Sequence, residues 1–134
     1  RPSIMASELR VDTLKDSSGN NSVGMAYVAG GSSKAWVNFN GTGTPAARDS
    51  NNFSSITDNA TGQYTLAVTS SMSDGNWSSS TLTNAYNGTG NADGHGDSHI
   101  NNRTASGGYF ISVDSANSYA DAAVNDWQIF GDLA

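Results

Sequence analysis

The chain contains no cysteine, which removes disulfides and Cys-ligated zinc or iron–sulfur sites from consideration. Basic residues are nearly as scarce: six Lys and Arg stand against twelve acids, for a formal net charge of −6. So few cations cannot neutralise a run of phosphates, which argues against a nucleic-acid partner. They also make a poor electrostatic anchor for an anionic membrane. No apolar run approaches the roughly 20 residues that span a bilayer, so no membrane insertion is expected. Helix formers are thin as well. Eleven of the acids are Asp and only Glu8 is Glu; Asp and Asn suit turns where Glu, Lys and Leu suit helices.

What the chain does have is aromatic: three Trp, five Tyr and four Phe, enough to fold around. Between them run stretches of Ser, Thr and Asn with 15 Gly. Charge is too low for the common disordered class, which pairs low hydrophobicity with high net charge. A length of 134 residues fits one domain with a modest core. A small module without disulfides needs another staple, and oligomerisation is one.

Residues 1–31 read differently from the rest, as an attachment or linker segment. Glu8 to Lys15 alternates Leu9, Val11 and Thr13 against charged neighbours, the pattern of a short strand. Asp16 to Asn21 is dense in turn formers, and Gly24 to Val28 suits a second strand before the Gly30-Gly31 hinge. From residue 32 to 134 the chain reads as short strands: Ala35 to Asn40, Phe53 to Asp58, Gln63 to Thr69, Trp77 to Thr83, Tyr109 to Val113 and Trp127 to Gly131. Turn clusters such as Asn40-Gly41-Thr42-Gly43 and Asp58-Asn59-Ala60-Thr61-Gly62 separate them. This spacing predicts an all-β fold, an antiparallel β-sandwich of jelly-roll type. Val37, Phe39, Ile56, Tyr64, Leu66, Val68, Ile111 and Ile129 are its expected core. Residues 86–108 form its expected loop-rich tip, and Ala116 to Val124 reads as a loop.

Several strands carry apolar residues in both phases. Gln63 to Thr69 keeps Tyr64, Leu66 and Val68 on one side, whereas Trp36, Val37 and Phe39 occupy both, as do Tyr109, Phe110 and Ile111. Three explanations stand: a second surface buried between subunits, a long loop over the outer face, or ordinary scattered exposed aromatics. The first is the favoured one, and it makes Trp36, Phe110, Trp127 and Phe130 candidate subunit contacts in a homotrimer.

The run Lys34-Ala35-Trp36-Val37-Asn38-Phe39-Asn40-Gly41-Thr42-Gly43-Thr44 resembles a stretch found in tail-fibre and other virion appendage proteins of bacteriophages, many of them marine. Arg48 to Asn59 and Gly62 to Thr69 are similar to the segments that follow it there. Leu9 to Asn20 looks like the segment preceding such domains, and Val113-Asp114-Ser115 with Gln128 to Asp132 like their ending. Residues 70–112 depart from the pattern. The resemblance implies a non-enzymatic structural protein of the virion, extracellular when mature, whose N-terminal segment meets other virion proteins while the β domain displays loops to the host surface. A capsid-mounted head fibre or decoration protein, and a secreted carbohydrate-binding module, are the alternatives.

Catalytic patterns are weak. The two imidazoles, His95 and His99, lie in a Gly-rich stretch with no Gly-x-Ser-x-Gly elbow elsewhere. Every Asp neighbours turn residues or a strand end, where solvent and backbone amides keep it ionised, unlike the acid of a glycosidase pair. No catalytic residue is expected, and no cofactor beyond a divalent metal. The sharpest pattern is Asp93-x-His95-x-Asp97-x-His99. In an extended segment these four side chains share one face and suit a divalent transition metal; in an irregular loop they are simply solvated. Trp77 and Tyr86 are candidate stacking platforms for a host-surface glycan, with Asn91, Asp93 and Asn101 as hydrogen-bonding partners. The competing reading places both rings in the core.

Overall fold

The structure is a computed structural model that describes residues 7–84 and 96–134. It divides into two compact units with the boundary between Ser32 and Ser33.

The first unit holds a small hairpin, β1 (Thr13–Lys15) with β2 (Ser22–Gly24), followed by α1 (Met25–Gly31). Its turn is closed by Asp16, whose carboxylate accepts from the Asn20 backbone N–H at 3.0 Å and from Asn21 Nδ2 at 2.6 Å. The helix replaces the strand expected over Gly24 to Val28. Met25, Ala26 and Ala29 favour helix strongly enough to outweigh Val28, and the glycine pair ends it after two turns. None of its residues is buried. Leu14 faces Val23 across the hairpin, and both stay exposed along with Leu9 and Tyr27.

The second unit is an antiparallel β-sandwich with, among the described residues, eight strands in two four-stranded sheets, the jelly-roll count. The strands are β3 (Ala35–Asn40), β4 (Ala46–Asn51), β5 (Phe53–Ala60), β6 (Gln63–Val68), β7 (Ser78–Thr83), β8 (Asp97–Thr104), β9 (Gly107–Val113) and β10 (Asn125–Phe130). One sheet runs β4-β3-β10-β7 and the other β5-β6-β9-β8. Among the described residues no helix is long and apolar enough to cross a membrane.

The core lies between the sheets. Ala35, Val37 and Phe39 of β3 meet Tyr64, Leu66 and Val68 of β6, with Phe110, Ile100, Trp127, Ile129, Met72 and Trp77 completing it. Its rings pack edge to face: Phe39 lies 5.3 Å from Tyr64 and 5.2 Å from Phe110, and Trp77 lies 5.8 Å from Trp127. Each such pair contributes about 0.5–1.5 kcal/mol beyond area burial. Of the expected core, Ile56 is only partly buried, because its strand β5 is a sheet edge. Ile111 is buried on the outer side of its sheet, in register between Gln63 and His99.

Two strands and part of the expected tip differ from the sequence reading. β4 shows no alternation because it is an edge strand exposed on both faces. β8 occupies residues 97–104, which the pattern assigned to irregular tip; only Ile100 of that strand is buried. Residues 86–95 of the expected tip lie outside the described residues.

Asn52 joins β4 to β5 and so carries the chain from one sheet to the other. Its backbone sits in the left-handed region at φ +51°. Its side chain fixes the corner: Nδ2 donates to the carbonyls of Lys34 and Ser70 at 3.0 Å each, and Oδ1 accepts from the Ser70 N–H at 2.7 Å. A second polar device ties the sheets internally. The Thr83 hydroxyl donates to Asn125 Oδ1 at 2.7 Å, so the Ser112 hydroxyl, also at 2.7 Å, donates to Thr83. Asn125 Nδ2 in turn donates to the Ala122 carbonyl at 3.0 Å.

Candidate functional site

The outer faces of the two sheets differ in character, and strand register sets both. On the β4-β3-β10-β7 sheet one cross-strand row runs Asn51, Trp36, Gln128, Ser80 and the next Asp49, Asn38, Asp126, Leu82. Asn38 Nδ2 donates to Asp126 Oδ1 at 2.6 Å, and Arg48 reaches Asn38 Oδ1 at 3.4 Å and the Ala123 carbonyl. Trp36, half-buried, lines a shallow hollow of about 350 Å³ with Gln128 and Asp126. Phe130 belongs to the same face, two residues along from Gln128 and opposite Ser78.

On the β5-β6-β9-β8 sheet the rows are Gln63, Ile111, His99; then Thr57, Thr65, Tyr109, Asn101; then Ser55, Ala67, Gly107, Thr104. The Tyr109 hydroxyl donates to Gln63 Oε1 at 2.9 Å, which holds the half-buried ring in place. A trough of about 230 Å³ lies beside the ring, lined by Thr65, Ala67, Asn102, Thr104 and Gly107 among others.

At the end of the sandwich where Gly41, Gly62 and Asp121 meet, a third polar group is enclosed. The Tyr64 hydroxyl donates to Asp121 Oδ1 at 2.7 Å and approaches the Gly41 carbonyl at 3.1 Å, while the Gly62 N–H donates to the same Asp121 oxygen at 2.7 Å. Burial, and then the Asp121 carboxylate, push the Tyr64 hydroxyl well above the usual tyrosine range. The cluster pins the loop before β10 to the sandwich.

The sequence-derived candidates separate on this geometry. Trp77 is not a surface platform. It is 3% exposed, its Nε1 donates to the Thr104 carbonyl at 2.9 Å, and the Arg103 guanidinium caps its ring at 5.3 Å. Asn101 is exposed and opposite Tyr109, whereas Tyr86, Asn91 and Asp93 lie outside the described residues. Asp97 and His99 share the outer face of β8, both exposed, as alternation in an extended strand requires. Their proposed companions Asp93 and His95 lie outside the described residues, and among the described residues no three His, Asp or Glu come together as metal ligands.

Phe110 and Trp127 are corrected as subunit contacts, since both are 0% exposed in the chain's own core. Register is the reason: Phe110 stands opposite Tyr64, and Trp127 opposite Val37, so both point between the sheets. Trp36 and Phe130 remain on the outer face. Sequence reasoning missed Tyr109, Asn102 and Thr65 as a group. Their only early signal was the glycine pair before Tyr109, which leaves space beside a ring. Comparison with protein-family models, curated proteins and solved structures finds no match to this chain.

Proposed function

We propose that the chain is a non-catalytic attachment domain of a bacteriophage tail fibre or fibre-like virion appendage, acting as a homotrimer. The observation that carries this reading is how the tail-fibre-like residues divide over the sandwich. Residues 34–69 supply β3, β4, β5 and β6, two adjacent strands of each sheet together with the Asn52 corner. The departing residues 70–112 supply the edge strands β7 and β8 and nearly all of β9. The half that resembles tail-fibre proteins thus frames a half that departs from their pattern, the arrangement expected of a scaffold that displays a recognition surface.

Within this reading the outer face bearing Trp36 and Phe130, built largely from the tail-fibre-like segments, meets neighbouring copies. Attachment to other virion proteins falls to the N-terminal unit, whose Leu9 and Tyr27 are 80% and 78% exposed. Three copies would convert weak single contacts with the host surface into useful avidity. Gold-labelled antibody against residues 33–134 should decorate the distal fibres of the particles that carry the chain. Labelling confined to the capsid would move it to the head, as a head fibre or decoration protein. Absence of the chain from the protein content of purified particles would overturn the reading.

A further inference from the structure

We infer that the trough on the outer face of the β5-β6-β9-β8 sheet binds one pyranose unit of a neutral glycan, with Tyr109 as the stacking wall and Thr65, Asn102 and Thr104 as the hydrogen-bonding rim. The inference rests on the attachment reading only for the biological source of the sugar.

The trough is built by three local features. The Tyr109 ring is held by its hydroxyl bond to Gln63, so it presents a fixed edge and face rather than a mobile side chain. The β-bulge between Asn101 and Thr104 breaks the pairing with β9 and sets Asn102 at φ +46°, on the lining of the cavity. Main-chain crowding keeps the floor low at Gly107, where φ is +143° and a Cβ would lie 2.0 Å from the Leu66 carbonyl oxygen. The resulting space, about 230 Å³, opens to solvent over β6, β9 and β8.

Its chemistry selects the ligand. Among the described residues no Asp, Glu, Lys, Arg or His lines the trough, so neither an acidic sugar nor a phosphate finds a counter-charge from them. Thr65 Oγ1 accepts from Asn59 Nδ2 at 2.9 Å, which leaves its own proton to donate. The Asn102 amide makes no hydrogen bond among the described residues and offers both a donor and an acceptor. An aromatic wall with hydroxyl and amide groups around it matches a pyranose, whose C–H face is apolar and whose rim carries hydroxyls. A peptide strand is the poorer fit, because the trough crosses the strands instead of running along an open edge.

The test is an amide NMR titration of the full chain with methyl glucoside, methyl mannoside and methyl galactoside, with methyl glucuronide as charged comparator. At least one neutral glycoside should saturate with a dissociation constant on the order of 1 mM, a weak single-ring interaction. Its shifts should cluster at Asn102, Gly107, Gly108 and Tyr109. Tyr109→Ala should weaken binding about tenfold. Asn102→Gly keeps the positive φ, removes the amide, and should weaken it roughly threefold, which carries the test if the tyrosine variant does not fold. No saturable shift with any neutral glycoside, a cluster elsewhere on the chain, or tighter binding of the glucuronide would each overturn the inference. Chain found on fibres without sugar binding defeats this inference alone; sugar binding by a chain absent from particles defeats the attachment reading alone.

Discussion

Replacing Asn52 tests whether the sandwich depends on the corner between its sheets. Two terms can be separated there. The side chain makes three hydrogen bonds, to the Lys34 and Ser70 carbonyls and from the Ser70 N–H. At about 0.5–1.5 kcal/mol each, discounted because the site is partly open to water, they amount to roughly 2 kcal/mol. The backbone adds a second term, because φ is +51° and a Cβ without a local polar partner costs about 1 kcal/mol there. Asn52→Gly loses the bonds but not the backbone freedom, so it should cost about 2 kcal/mol. Asn52→Ala loses both and should cost about 3 kcal/mol. Urea unfolding of the full chain, followed by tryptophan fluorescence, reads the difference, since Trp77 and Trp127 are core residues. The midpoints should fall in the order wild type, Gly, Ala, with the slope unchanged. Unfolding free energies for both variants within about 0.5 kcal/mol of wild type, or an alanine midpoint above the glycine one, would refute the account of the corner.

Further expectations follow from the same contacts. Tyr64→Phe should cost roughly 1.5–3 kcal/mol at neutral pH, since it removes a hydrogen bond to a carboxylate. It should also flatten the alkaline limb of stability. The folded hydroxyl titrates above its unfolded value near 10, so the wild type holds its full contribution below about pH 10 and loses it as pH rises towards the folded value. Equal alkaline slopes for the two proteins in pH-dependent urea melts would contradict this. Gly107→Ala should destabilise by roughly 3 kcal/mol or more, because the new Cβ collides with the Leu66 backbone; a thermal midpoint near wild type would show that β8 and β9 yield more easily than their pairing implies. Trp77→Phe should cost about 1–2 kcal/mol more than Trp127→Phe in the same melts. The first leaves the Thr104 carbonyl without its donor, whereas the second removes a buried Nε1 that has no partner among the described residues. The reverse ranking would contradict that hydrogen-bond assignment.

How much of this was legible in the sequence depended on whether a strand has one buried face. β6 alternates plainly because its inward residues are apolar and its outward ones largely polar, whereas β3 carries Trp36 on its outward side and so reads as apolar in both phases although only alternate residues are buried. β4 was invisible because an edge strand with both faces in water imposes no pattern on Ala46 to Asn51. β7 reads backwards: Leu82 points out to solvent while Thr83 points in, because Thr83 is satisfied by Ser112 and Asn125. Hydrophobicity alone would have assigned that strand the opposite face. β9 is apolar in both phases, so only its pairing with β6 decides that Phe110 enters the core and Tyr109 faces out. The candidate site was the least legible part. Its trough comes from a bulge and a positive-φ glycine, which are properties of the main chain and leave only Gly107-Gly108 as a trace.

The central claim, attachment to a host surface by a displayed β domain, is tested most directly by adsorption. Fluorescently labelled chain should bind susceptible cells saturably, and excess unlabelled chain should slow adsorption of the particles that carry it. Unchanged particle adsorption on cells already saturated with the chain would contradict the claim.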